Sequence, residues 1–196
     1  MPRRSPVTVL SASAALVAAL LLAGCQTPEP ASTTPPPTTP GETAAPTTEP
    51  TETAAPPSST PVDIACDALV PAQTMYDFNP NFSLLASWTP SGGSPAADAV
   101  AADGVACRWQ NDTSGEVIDV SVASFDTASL DELANDAYTD STMVPTYGGD
   151  EAYFAVVGGV GEAIVFQDSY WVVVSSSYFL EPGDAEPIVA SVLAAL

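Results

Sequence analysis

Hydrophobic and polar positions divide this chain of 196 residues into three regimes. From Val7 to Ala23 the residues are apolar apart from Thr8, Ser11 and Ser13. From residue 26 to 61 no large apolar residue occurs. From Val62 to Leu196 apolar residues return with helical and strand periods. Cys66 to Met75 reads as a short helix with Ala68, Leu69 and Ala72 inward, bent at Pro71. Residues 79–98, rich in Pro, Gly, Ser and Asn, read as loop. Gly104 to Trp109 reads as a strand. Val117 to Phe125 alternates, with Ile118, Val120 and Val122 on one face and Asp119 and Ser121 on the other.

Ser129 and Glu132 fit a capping box, and Leu130, Leu133, Ala134, Ala137 and Tyr138 form the apolar stripe of the helix that follows. Three strands come next: Glu151 to Val157, Glu162 to Gln167 and Tyr170 to Ser177. Gly158-Gly159-Val160-Gly161 and Asp168-Ser169 are the turns between them. A last helix starts near Asp184, carries Pro187 in its first turn and runs to Leu196. This order predicts an antiparallel α+β domain over residues 62–196, with a sheet of about five strands flanked by helices. Its 135 residues are enough for one core.

The first regime is an export signal. Arg3 and Arg4 precede the apolar run, no acidic residue occurs before residue 25, and the run ends in small residues. At Leu22-Ala23-Gly24-Cys25 the chain resembles the bacterial lipobox. That resemblance implies a diacylglycerol thioether on Cys25 and removal of residues 1–24. Two or three acyl chains suffice for stable membrane anchoring, at roughly 0.8 kcal/mol per buried CH₂.

The second regime, 25–61, is the lipidated cysteine followed by a Pro/Thr-rich tether. It has nothing apolar to offset the entropy of ordering, so disorder is expected. At about 3.1 Å per residue its Pro-rich chain could reach on the order of 110 Å.

Charge narrows the functions available. With Arg3 and Arg4 lost in the leader, the net charge of −21 becomes −23, and Arg108 is the only cation left. Such a field repels phosphate backbones, so no nucleic-acid partner is expected.

Two cysteines remain in the domain, Cys66 and Cys107, in an oxidising compartment. A bridge between them would close a loop of about 42 residues, worth roughly 4 kcal/mol on the chain-entropy model. With no His and no third domain cysteine, no zinc site is expected, and no residue is assigned to a metal. The same gaps exclude Ser-His-Asp, Cys-His, Ser-Lys and Schiff-base devices.

Carboxylates are the remaining route to catalysis. Asp150 and Glu151 are strand neighbours and point to opposite faces. Asp131, Glu132 and Asp136 read as a solvated helix face. Gly159-Val160-Gly161 lacks the third glycine and following helix of a dinucleotide loop, and no cofactor is expected. No segment has the spacing of an acidic calcium loop. Trp109 and Trp171, on strands, belong to the core. Trp88 and Tyr147, in the loops 79–95 and 141–149, are the expected exposed aromatic groups and so the handle for a ligand.

With these elements placed, the domain resembles small actinobacterial envelope lipoprotein domains of unknown function built around a Cys…Cys-x-Trp pattern. The matching residues are Cys66-Asp67-Ala68-Leu69-Val70-Pro71, Cys107-Arg108-Trp109 and Gly149-Asp150-Glu151-Ala152. The resemblance implies the same Cys66–Cys107 bridge and a fold similar to the PsbP-like group. It supplies no catalytic residues, and this chain lacks the second cysteine pair of some relatives. The expected function is a membrane-anchored, non-enzymatic binding or interaction module of the cell envelope. The alternatives are a carboxylate-based cell-wall-modifying enzyme and an inert structural spacer.

Overall fold

The strand Val117–Phe125 sets the plan of the molecule, because Ile118, Val120 and Val122 on one face and Ala123 and Phe125 on the other both require cover. In the computed structural model, which describes residues 58–196, this strand lies at the centre of an antiparallel sheet. The elements in chain order are β1 (Ser59–Thr60), α1 (Cys66–Leu69), α2 (Ala72–Phe78), β2 (Phe82–Leu84), α3 (Pro95–Ala101) and β3 (Val105–Asn111). After them come β4 (Val117–Phe125), α4 (Thr127–Asp140), β5 (Thr142–Met143), a 3₁₀ turn (Pro145–Tyr147), β6 (Glu151–Val157), β7 (Val160–Gln167), β8 (Tyr170–Ser176) and α5 (Pro182–Leu193).

The sheet order is β2-β3-β4-β8-β7-β6-β5, so two meanders meet at the β4–β8 pair. β1 pairs with the end of β4, Ser59 opposite Phe125 and Thr60 opposite Ser124. The five expected strands are β3, β4, β6, β7 and β8, and eight are present. The three additions, β1, β2 and β5, have two or three residues each. Strands so short show no alternation to read.

One face of the sheet presents Cys107, Trp109, Ile118, Val120, Val122, Val165, Val172 and Val174 to α1, α2 and α5. The helices answer with Leu69, Met75, Ile188, Val189 and Val192, all buried. Fully burying a side chain of this size is worth about 1.5–3 kcal/mol, and this is the main core. The disulfide between Cys66 and Cys107 ties α1 to β3 on that face, its Cα atoms 5.6 Å apart. The other face presents Ala123, Phe125, Tyr153, Phe166, Trp171 and Val173 to α3 and α4.

Several local expectations are corrected. Pro71 caps α2 and splits the first helix in two, which leaves Ala68 and Ala72 exposed and turns Leu69 and Met75 inward. The segment 79–98 contains β2 and the start of α3, where Ser94 Oγ accepts from the Ala97 amide and Pro95 occupies the first turn. The cap of α4 is Asp126, whose Oδ1 accepts from the Ser129 amide at 2.9 Å, so that helix begins two residues ahead of Ser129. Tyr138 lies off the buried stripe and is exposed.

The β6–β7 turn is the pair Gly158-Gly159 alone, both at positive φ, with Val157 opposite Val160. α5 starts at Pro182, because the Asp184 carboxylate accepts from the Leu180 and Glu181 amides. Pro187 therefore lies inside that helix, past its first turn.

Candidate functional site

The apolar side chains that α3 and α4 turn to the sheet are mostly alanines. α3 offers Ala96, Ala99 and Ala102, and α4 offers Leu130, Leu133, Ala134 and Ala137. Residues of that size let a helix lie close to a sheet, but they cannot fill the space between two helices. Gly104, between α3 and β3, permits the close approach. A Cβ there would press on the Val122 carbonyl oxygen and lie 2.8 Å from that of Ala99.

Between the two helices a cleft of about 760 Å³ is left open. Phe125 of β4 and Trp171 of β8 form its floor, ring centroids 6.3 Å apart and edge to face. Ala101, Ala102, Ala128 and Leu133 continue the apolar lining, and Ser58 and Ser59 also line the cleft.

Carboxylates stand around the apolar floor. Asp98 is on the α3 side, Glu132 and Asp136 are on α4 four residues apart and so on one helical face, and Asp126 is at the helix start. All four are exposed. Hydrogen bonding from the Ser129 backbone amide, then from its side chain, holds the Asp126 carboxyl below its ordinary range. None of the four meets a cation among the described residues. Arg108, the only cation among the described residues, is forked onto Asp119 through Nε and Nη2, each at 2.6 Å.

The expected aromatic handles are placed differently. Tyr147 is buried, and its hydroxyl donates to the Pro182 carbonyl at 2.6 Å. Burial, then the Glu186 and Asp184 charges, push its phenol pKa up. It serves the core and is no exposed handle. Trp88 is half-buried with the Arg108 guanidinium stacked 3.9 Å from its ring centre. It lines only a second hollow of about 300 Å³, beside the disulfide. Trp109 and Trp171 are buried on strands as expected, although Trp171 also reaches the cleft floor.

Among the expected carboxylates, Asp131, Glu132 and Asp136 are solvated, and the last two also face the cleft. Asp150 Oδ2 accepts from the Asp168 amide at 2.8 Å, and Glu151 Oε2 accepts from the Tyr153 hydroxyl at 2.5 Å. That bond, then desolvation, raises the Tyr153 phenol to about 12. Cys25 lies outside the described residues.

Two further carboxylates share the sheet face of the cleft without lining it. The register runs Arg108, Asp119, Ser175, Glu162 across adjacent strands. Asp119 and Glu162 are thus two strand spacings apart, on the order of 10 Å at Cα. Both oxygens of Asp119 are taken by Arg108, and burial raises the pKa of Glu162. No group of three potential metal ligands forms among the described residues.

The cleft therefore offers shape, apolar contact and negative charge, the elements of reversible binding. Its residues escaped the sequence reading because Phe125 and Trp171 look like ordinary strand residues. The one available signal was Ser94-Pro95 ahead of an Ala-rich run, a helix start inside the supposed loop. No protein-family model, curated protein or solved structure matches the chain.

Proposed function

We propose that this chain is a cell-envelope lipoprotein, held to the membrane by acyl chains on Cys25, whose domain is a non-enzymatic binding module working through the α3–α4 cleft. The observation that carries the reading is the cleft itself. Its volume of about 760 Å³ falls within the few hundred to a thousand Å³ usual for small-molecule sites. Its floor is aromatic and its carboxylates are spread along the rim, which suits holding a ligand more than transforming one.

Two experiments test it. Small apolar fragments titrated into the ¹⁵N-labelled protein should shift the Trp171 indole and the amides of α3 and α4. Shifts confined to other surfaces, or none, would favour the inert spacer. For the anchor, Cys25→Ala should yield an unprocessed chain or one released to the medium, whereas the wild type carries acyl mass on its first residue. A processed wild-type protein with an unmodified Cys25 refutes the anchor.

A further inference from the structure

The charge around the cleft points to the class of ligand. Resting on the reading that the cleft is the binding site, we propose that it takes a small organic cation, an amine carried on an apolar or aromatic body. Phe125, Trp171 and Leu133 supply an apolar bed that inorganic ions have no use for. Asp98, Asp126, Glu132 and Asp136 surround it from both helices. No cation of the domain reaches them, since Arg108 is bound to Asp119.

Four carboxylates around one hollow repel each other until a positive group enters. That repulsion also rejects an anion of the same shape. The carboxylates are too dispersed to converge on a single metal ion, for no group of three potential ligands forms among the described residues. Aromatic rings with carboxylates nearby are the combination that recognises ammonium groups.

The test is a matched series of one apolar body with three heads: 1-naphthylmethylamine, 1-naphthalenemethanol and 1-naphthoate. Each is titrated at low salt into the ¹⁵N-labelled, lipid-free chain from residue 25 onward, with Cys25→Ser. The amine should saturate shifts at the Trp171 indole and in α3 and α4. Its dissociation constant should lie about fivefold or more below that of the alcohol, as expected for a few partly exposed ion pairs. The carboxylate should bind weakest. Raising the salt should erase most of the preference.

Glu132→Gln combined with Asp136→Asn should weaken the amine severalfold and leave the alcohol unchanged. Both sites are exposed, so the fold is not at stake. An alcohol or carboxylate that binds the cleft as tightly as the amine overturns the cation preference, while the cleft remains a binding site. Amine shifts scattered over the acidic surface, without saturation at Trp171, overturn it as well. If none of the three probes perturbs the cleft, the binding-module reading falls and the ligand class with it.

Discussion

The two faces of the sheet are packed by different rules. On the disulfide-bearing face, α5 lays Ile188, Val189 and Val192 against Val120, Val165, Val172 and Val174, and every one of these is fully buried. On the other face, α3 meets the sheet almost entirely through alanine, and α4 brings Leu130 and Leu133 only half-buried. Branched side chains interdigitate and leave no room, whereas alanines hold helices near the sheet but not near each other. One face is spent on stability, and the other keeps an open volume over a rigid floor. The difference teaches that in this small domain the cleft is made by what the helices lack.

The largest effect should come from cutting the staple of the closed face. Cys66→Ser should lower the free energy of unfolding by about 2–5 kcal/mol, read as a fall in the urea midpoint. Reductant should bring the wild type to the same midpoint. Cleavage by added protease should rise within Ser91 to Pro95, a stretch inside the closed loop. An unchanged midpoint would break the contrast on its stabilised side.

A paired truncation sharpens it. Ile188→Ala removes a fully buried side chain and should cost about 2–5 kcal/mol. Leu133→Ala only widens a space already open to water, and about 1 kcal/mol is expected. Equal losses in chemical denaturation would mean that the two faces are packed alike.

The smallest effects are in the pH dependence, where Asp126 and Glu162 act with opposite sign. The folded pKa of Asp126 is depressed, so its contribution is present above the unfolded value of about 3.9. It is lost as pH falls through the folded value. Asp126→Ala should lower the Tm at neutral pH and lose this effect in acid. The folded pKa of Glu162 is raised, so its contribution is present below the unfolded value of about 4.3. It disappears as pH rises through the folded value. Glu162→Gln should therefore raise the Tm slightly at pH 7 and change it little at about pH 4. Thermal melts of both variants across pH 3–8 decide the signs.

Much of the architecture was legible because its signals are local. Alternation marked β4, apolar runs bounded by turn residues marked β6, β7 and β8, and two cysteines in a domain read as exported predicted their own bridge. The cleft was not legible, since it arises from the distance between two helices. Nothing in the residues from Ser94 to Ala102 states how far they will lie from Thr127 to Asp140. Tyr147 misled for the same reason. Its loop reads as exposed, yet the Pro182 carbonyl that receives its hydroxyl lies 35 residues further along the chain. The cap of α4 falls on Asp126 and not on Ser129, since either residue type can cap and only the helix start distinguishes them.

The bridge between Cys66 and Cys107 also determines how the domain carries a load. Tension applied at Ser58 falls first on the two residue pairs that join β1 to β4. Next comes the bond from the Val62 amide to the Asp103 carbonyl. These can peel apart one after another, as in a zip pulled from its end. At Cys66 the peeling stops, because the force passes through a covalent bond into β3, which is paired with β4 from Val105 to Gln110 and with β2 from Trp109 to Asn111. The pull is then borne by β3, one strand in from the β2 edge, after the β1 end of the cleft, where the Asp126 amide donates to the Ser58 carbonyl, has taken the first load.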